Sequence, residues 1–185
     1  GHIAHLRQEQ LPDGMDPVLE ETATYEPGES AGVFSYATHA AVVLVDPGTG
    51  AVELTDFAVV EDCGTVVNPM IVDGQIIGGV VQGIGTAMFE EVPYDDGGQP
   101  LATTFADYLL PGAADIPSIK IGHMVTPAKL TKYGMKGMGE GGAIAPPAAI
   151  ANALRDAFAS SGAEFNETPL TPARIRAVLD RTGQE

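Results

Sequence analysis

The chain has 185 residues, of which 44% are hydrophobic, and this length suffices for one domain with a buried core or for two small domains. Its 25 acidic and 9 basic residues give a formal net charge of −16, which argues against nucleic acid or an anionic lipid surface as a partner. The sequence contains no run of about 18 apolar residues, so membrane insertion is not expected.

Cys63 is the single cysteine of the chain. One thiol excludes an intrachain disulfide, and it is too few for an iron–sulfur cluster, which takes several thiolates. A lone cysteine is compatible with a reducing compartment, and we expect a cytoplasmic location. The four histidines show no ligand spacing with carboxylates, so a protein-ligated zinc ion is not expected.

The first predicted elements are an extended lead-in and a β-hairpin. Residues 1–32 are polar and rich in Pro and Gly, which is typical of an extended segment. The β-rich runs "SYATHAAVVLVD" and "AVELTDFAVVED" follow, and the turn signal "PGTG" joins them. Residues 35–62 are therefore predicted to form a β-hairpin, which the chain leaves by an Asn-Pro turn in "CGTVVNP".

A glycine-rich helix is predicted over residues 73–91, with Asp73 as its N-cap. Apolar residues recur there at intervals of four: Ile76, Val80, Ile84 and Met88. Each of the glycines inside this segment costs about 0.8–1 kcal/mol relative to Ala, which suggests that the glycines serve a purpose.

Gln82 lies, on a helical wheel, on a bare face between Gly78 and Gly85. Two interpretations of this face remain open. The glycines allow close packing against another helix or a sheet, or the helix lies against a flat ligand to which the Gln82 amide donates and accepts hydrogen bonds.

The rest of the chain is predicted to contain loops, one strand and two helices. Residues 92–117 are loop-like, with "TTFADYLL" as a possible short helix or strand, and "SIKIGHMVT" is a predicted strand. "PPAAIANALRDAFASSG" is a predicted helix that ends at Gly162, and the last helix is capped by Thr171 and stopped by Gly183. The elements together predict an α+β (mixed α/β) fold with an antiparallel-rich sheet, in which a β-hairpin and a further strand pack with glycine-rich and amphipathic helices.

The glycine loop "KYGMKGMGEGG", residues 132–142, contains a G-x-G-x-x-G pattern formed by Gly137, Gly139 and Gly142. Three details argue against a dinucleotide-binding site. The preceding segment is not an apolar strand, the prolines at 146 and 147 place the helix start too far beyond the third glycine, and Glu140 would repel a pyrophosphate.

Glu140 is the one carboxylate of this loop. One interpretation is that it caps the following helix or pairs with Lys136 at the surface, which would contribute less than about 1 kcal/mol. The other is that it is a general base whose environment tunes its pKa. The residue types alone leave both interpretations open.

Two long segments resemble a known family: "EDCGTVVNPMIVDGQIIGGVVQGIGTAMFEE" and "YGMKGMGEGGAIAPPAAIANALRDA". They are similar to the molybdenum-cofactor-binding (large) subunit of the xanthine dehydrogenase family, which includes aldehyde oxidoreductases and carbon monoxide dehydrogenases. The motif order is that of the C-terminal part of this subunit. The resemblance implies that residues 33–185 form the C-terminal part of its molybdopterin-binding domain.

The resemblance also implies roles for particular residues. The metal is held by the dithiolene of a pyranopterin (molybdopterin), possibly as the cytosine dinucleotide, so no residue of this chain is expected to ligate molybdenum. Glu140 corresponds to the base that removes the proton from the metal-bound hydroxide, which attacks an electron-poor substrate carbon. Gln82 corresponds to a residue that hydrogen-bonds the pterin. Four loop residues are expected near the cofactor through their backbone: Lys136, Gly137, Met138 and Gly139.

The partners that the resemblance implies are the remaining part of the molybdenum subunit, iron–sulfur and flavin subunits or domains carrying 2Fe-2S and FAD, and a small-molecule substrate. The expected reaction is the oxidative hydroxylation of an aldehyde, an N-heterocycle or carbon monoxide with water, and this chain is expected to be inactive alone. The alternative is a non-catalytic assembly or interaction module derived from the same family.

Overall fold

The computed structural model describes residues 6–18, 20–26 and 32–183. The chain divides into two compact units, Gly1–Ser30 and Ala31–Glu185. Within the first unit, a short 3-10 helix spans Gln8–Gln10. Residues 1–5, 19 and 27–31 of the predicted lead-in lie outside the described residues.

The second unit contains a three-stranded sheet in the order β1-β2-β3. Strands β1 (Tyr36–Val45) and β2 (Val52–Asp62) pair in antiparallel fashion, which confirms the predicted hairpin. Strand β3 (Ile119–Met124) was also predicted, but it pairs with β2 in parallel. The expectation of an antiparallel-rich sheet is therefore wrong for this pair, because the chain crosses over through a long helix before it returns to β2.

Helix α1 spans Pro69–Met88 and begins four residues earlier than predicted. Its N-cap is Asn68, whose side chain accepts a hydrogen bond from the Ile71 N–H, and Pro69 occupies the first helical position. The Asn-Pro pair interpreted as a turn is thus a helix start, since Asn favours the N-cap and Pro tolerates the first turn. Asp73 is not the N-cap; it lies inside α1 and its carboxylate is 2.7 Å from His123 Nε2.

Among the described residues, three further α-helices come after β3: α2 (Gly141–Ile144), α3 (Pro146–Ala157) and α4 (Pro172–Thr182). A 3-10 helix spans Ala159–Ser161. The start of α3 and both ends of α4 agree with the prediction, including the Thr171 cap and the left-handed Gly183. The predicted end of α3 at Gly162 is wrong, because α3 ends at Ala157 and a separate 3-10 helix precedes Gly162. The one-turn helix α2 was not predicted. The segment "TTFADYLL" forms hydrogen-bonded turns, so the prediction of a short helix or strand there is wrong.

The core is formed by the sheet, α1, α3 and α4. Its large side chains that are less than 2% exposed include Phe57, Val59, Ile76, Val80, Ile84, Ile150, Leu154, Ile175 and Leu179. Each such side chain contributes about 1.5–3 kcal/mol through burial, so this apolar interior fixes where β2 ends relative to α1. None of the described helices combines the length and hydropathy needed to cross a membrane.

Candidate functional site

The glycine loop runs beside the residues that follow β2. The Lys136 N–H donates to the Cys63 carbonyl at 2.8 Å, and the Thr65 N–H donates to the Gly134 carbonyl at 3.0 Å. Gly134 has φ of +75°, and a Cβ there would lie 2.7 Å from Pro127 Cβ, so this position requires glycine. The first half of the loop is therefore held by backbone hydrogen bonds against the end of the sheet.

Lys136 forms a buried ion pair with Asp62. Lys136 Nζ lies 3.1 Å from Asp62 Oδ1, and the two side chains are 8% and 0% exposed. The Lys136 ammonium also lies 4.6 Å from the centre of the Tyr36 ring, within the range of a cation–π contact. The charge of Lys136 is thus directed towards the sheet.

Asp62 accepts three more hydrogen bonds: from Tyr36 Oη at 2.9 Å, from the Gly64 N–H at 2.9 Å and from the Thr126 N–H at 3.1 Å. Burial alone would raise the pKa of this carboxyl. The hydrogen bonds from Thr126, Gly64 and Lys136 stabilise the ionised form and hold the pKa well below its usual range. Asp62 is therefore a carboxylate that stays charged inside the protein.

Glu61 lies on the opposite face of β2, because successive side chains of a strand alternate. It is 1% exposed, and its two carboxyl oxygens have no hydrogen-bond partner among the described residues. A Cβ added to Gly141 would lie only 2.4 Å from Glu61 Oε1. Burial raises the pKa of Glu61. The Ser35 hydroxyl, which is near but outside hydrogen-bonding geometry, and His123 oppose this shift to a smaller extent. A buried carboxyl group thus lies against the residue that follows Glu140.

Glu140 occupies the N-cap position of α2, with an exposed side chain. Its carboxylate makes no capping hydrogen bond, and no ion pair in the described part of the chain includes it. Lys136, the partner considered from the sequence, binds Asp62 instead. Neither the cap nor the surface pair accounts for Glu140, which leaves an acidic group facing outwards at the end of a well-anchored loop.

The bare face of α1 consists of Gly74, Gly78 and Gln82, which follow one another at intervals of four. A Cβ added to either glycine would meet none of the described residues within 4 Å, and Gln82 is exposed. Gly85, which was assigned to this face from the helical wheel, is buried instead, where a Cβ would lie 2.2 Å from Glu90 Oε1. The predicted bare face of α1 is present, but it runs from Gln82 towards the start of the helix and does not include Gly85.

Other glycines of α1 serve close packing. A Cβ on Gly79 would lie 2.9 Å from Gly142 Cα, and one on Gly83 would lie 2.6 Å from Pro146 Cγ. Close packing is therefore confirmed for Gly79 and Gly83, which admit α2 and α3. Gly74 and Gly78 leave an open surface, and binding of a flat ligand there stays a prediction.

A hydrogen bond ties the loop to α1. Gln75 Nε2 donates to the Gly139 carbonyl at 2.9 Å, and Gln82 follows Gln75 by two helical turns, about 10 Å along the axis. Among the described residues, nothing lies within 4 Å of a Cβ added to Gly137 or Gly139, so packing within that part of the chain does not explain these glycines. Met138 between them is half-buried against the core.

This surface fits a flat organic cofactor better than a metal held by protein side chains. It offers an exposed amide, backbone groups of glycines and an outward-facing carboxylate, which bind by hydrogen bonds. In ranges 6–18, 20–26 and 32–183, no group of three or more His, Cys, Asp or Glu side chains is placed to hold a metal ion.

The sequence interpretation missed Asp62, which pairs with Lys136, and Glu61, which lies beside Gly141. Two signals were available. The alternation of Phe57, Val59 and Glu61 places Glu61 on the buried face of β2. Asp62 followed by Cys-Gly matches the pattern in which an Asp side chain accepts from the N–H two residues on.

Comparisons with known proteins point to one family. The profile of the molybdopterin cofactor-binding domain matches residues 3–117. The nicotine 6-hydroxylase large subunit of Paenarthrobacter nicotinovorans is 42% identical over 178 residues, which is 94% of this chain and 22% of that protein. The carbon monoxide dehydrogenase large chain of Hydrogenophaga pseudoflava is 35% identical, with 94% of this chain and 21% of that protein covered. The chain thus spans about a fifth of the length of these relatives.

Solved structures point to the same family as the sequence comparisons. Quinoline 2-oxidoreductase from Pseudomonas putida 86 superposes with a TM-score of 0.82 and 46% identity, over 96% of this chain and 22% of that chain. Carbon monoxide dehydrogenase from Oligotropha carboxidovorans gives a TM-score of 0.82 and 29% identity, over 98% of this chain and 22% of that chain. The profile match ends before the glycine loop, whereas these structural similarities extend over nearly the whole chain.

Proposed function

This chain belongs to the molybdopterin cofactor-binding domain family of molybdenum hydroxylase large subunits, and from this premise we propose that it carries the catalytic base of an oxidative hydroxylation. The proposed base is Glu140, and the substrate is an aldehyde, an N-heterocycle or carbon monoxide. The observation that supports this most is the position of Glu140: an exposed carboxylate, outside every ion pair of the described residues, at the end of a loop anchored to the sheet and to α1.

A carboxylate that acts as a general base must lie within reach of the proton that it removes. When bound, the molybdenum cofactor would supply an activated water-derived nucleophile and accept two electrons from the substrate. The Glu140 carboxylate would accept the proton that the nucleophile loses, at one of its oxygens. Because Lys136 pairs with Asp62 rather than with Glu140, it does not occupy the Glu140 oxygens that would accept this proton.

The proposed cofactor-binding residues are Gln82 and the loop residues Lys136, Gly137, Met138 and Gly139. Gln82 would hydrogen-bond the pterin with its exposed amide. Gly137 and Gly139 would let the backbone come close to the cofactor, since no side chain among the described residues occupies the space that a Cβ would fill. Lys136 would act through its backbone, because its ammonium is bound to Asp62.

The proposal extends to the assembly. Residues 33–185 would form the C-terminal part of the cofactor-binding domain and residues 1–32 its lead-in. The remainder of the subunit would complete the site, with 2Fe-2S and FAD on partner chains or domains to carry electrons away. The cofactor would be molybdopterin, with the cytosine dinucleotide as its proposed form, and the single buried Cys63 is compatible with a cytoplasmic location.

The test is Glu140→Gln in the full-length protein assembled with its partners. Gln has nearly the shape of Glu but cannot accept the proton, so turnover should fall by about a hundredfold to ten-thousandfold while molybdenum content stays near wild type. Glu53→Gln, at an exposed position of β2, is the matched control and should leave turnover unchanged.

Near-normal turnover of the Glu140→Gln protein would refute the assignment of the base. An assembled wild-type complex that holds molybdenum but turns over none of the three substrate classes would favour the non-catalytic assembly module instead.

A further inference from the structure

We propose that Glu61 and Asp62 are the positioning residues of Glu140: this pair, at the end of β2, holds the loop at both ends, Asp62 through Lys136 and Glu61 through Gly141. The inference rests on the proposed function of Glu140. Glu61 and Asp62 touch the loop but do not reach the surface, so they would act on the reaction through Glu140.

Asp62 holds the start of the loop. Its carboxylate binds Lys136 Nζ at 3.1 Å. The backbone next to Asp62 also holds Lys136, because the Lys136 N–H donates to the Cys63 carbonyl at 2.8 Å. Asp62 is itself fixed by Tyr36 Oη and by the Thr126 N–H. A charged carboxylate with four donors in the interior is rigid, since losing any one donor leaves charge uncompensated.

Glu61 holds the end of the loop by shape. Its carboxyl group fills the space beside Gly141 so closely that a Cβ there would lie 2.4 Å from Oε1 and 3.1 Å from Oε2. Neither oxygen has a partner among the described residues, although the group is 1% exposed. A buried polar group without a partner costs free energy and persists where it serves another purpose. Here it supports the residue next to Glu140.

The two contacts lie on opposite faces of the same strand. Residues 61 and 62 are consecutive, so their side chains diverge, and they meet the loop at residues 141 and 136. Glu140 lies between these two points, one residue before Gly141. The sheet therefore sets the position of the carboxylate from two sides, which is what a base needs for a fixed distance to its proton donor.

The experiment uses Asp62→Asn and Glu61→Gln in the full-length protein assembled with its partners. Amide hydrogen exchange of peptides covering residues 134–142 should rise by about tenfold or more, because the loop opens without one of its anchors. The turnover number should fall while KM and molybdenum content stay near wild type. Glu91→Gln is the control: Glu91 pairs with Arg174 away from the loop, and its loss should change neither readout.

Two milder sets of variants keep the test decisive if a buried change prevents folding. Tyr36→Phe removes a single donor to Asp62 and keeps the ring, so it should raise loop exchange less than Asp62→Asn does. Gly141→Ala should raise loop exchange, and the added methyl should be tolerated when Glu61 is shortened, in Glu61→Asp/Gly141→Ala. Recovery in the double variant would identify the contact between residues 61 and 141 as the cause.

The outcomes separate this inference from the proposed function. Unchanged exchange over residues 134–142 in both anchor variants would overturn the inference whether or not Glu140 is the base. Faster exchange with an unchanged turnover number, in a protein that Glu140→Gln inactivates, would also overturn it. If Glu140→Gln stays active, the proposed function fails, and faster loop exchange would then leave Glu61 and Asp62 with a structural role only.

Discussion

Gly79 of α1 and Gly142 of α2 meet where the two helices cross, so closely that a Cβ on Gly79 would lie 2.9 Å from Gly142 Cα. Gly78, the neighbour of Gly79 in sequence, faces outwards, and a Cβ there would meet nothing within 4 Å. Two adjacent glycines of one helix are thus present for different reasons. The first admits the helix that follows Glu140, and the second leaves a surface open.

Alanine substitutions at these two positions should therefore have opposite effects on stability. Gly79→Ala forces α2 away and should lower the free energy of unfolding by about 1–3 kcal/mol. Gly78→Ala should raise it by up to about 1 kcal/mol, because Ala favours the helix and nothing obstructs the methyl group. Chemical denaturation of both variants against wild type is the measurement. Destabilisation by Gly78→Ala of the same size as by Gly79→Ala would show that Gly78 is packed.

Gln82→Ala should lower the molybdenum and pterin content of the assembled protein, since its exposed amide is proposed to hydrogen-bond the cofactor. One lost hydrogen bond is worth about 0.5–1.5 kcal/mol, so affinity should fall by roughly twofold to tenfold. Gln99→Ala, at an exposed loop glutamine, is the matched control. Cofactor content that is equal in the two variants would mean that Gln82 is a solvated surface residue that does not bind the cofactor.

The hairpin, β3, and the two helices α3 and α4 could be predicted from the sequence because local signals determine them. Alternating apolar residues define the strands, and Thr171 and Gly183 mark the ends of α4 as expected. The start of α1 was missed because Asn68-Pro69 is compatible with both a turn and a capped helix. The parallel pairing of β3 depends on tertiary contacts, which local patterns do not contain.

Glu140 and Gln82 could be singled out from the sequence, whereas the contacts of Glu61 and Asp62 with the loop could not. The pair between Lys136 and Asp62 joins residues that are 74 positions apart, and no local rule connects them. A Glu-Asp pair at a strand end is more commonly solvated, so its burial was not expected. The packing of the hairpin against the loop decides the burial, and that packing is a property of the fold.

Asp62→Asn should destabilise the protein at neutral pH by about 3–5 kcal/mol, because it leaves the Lys136 charge buried without its partner. The depressed pKa of Asp62 means that its contribution is present above the ordinary Asp pKa and is lost only as the pH falls through the lower value of the folded state. The difference between variant and wild type should therefore stay constant from about pH 5 to pH 8. A difference that shrinks within this range, in denaturation curves at several pH values, would contradict the assignment.

Glu61 should give the protein the opposite dependence on pH. Burial raises the pKa of Glu61 above the ordinary value of a glutamate carboxyl, so the folded state favours the neutral acid. The stability that Glu61 contributes is complete below the ordinary Glu pKa and is lost as the pH rises through the raised value, with a slope of at most about 1.4 kcal/mol per pH unit. Glu61→Gln is neutral at every pH and should remove this decline.

The measurement is the free energy of unfolding of wild type and Glu61→Gln between about pH 4 and pH 8. The variant should gain stability relative to wild type as the pH rises, because only the wild type must bury a carboxylate that tends to ionise. Glu53→Gln, at an exposed position of the same strand, corrects for the general effect of removing one acid. Parallel curves for wild type and Glu61→Gln would mean that the Glu61 carboxyl finds a partner in the folded protein. A neutral Glu61 carboxyl would then not be the group that supports Gly141.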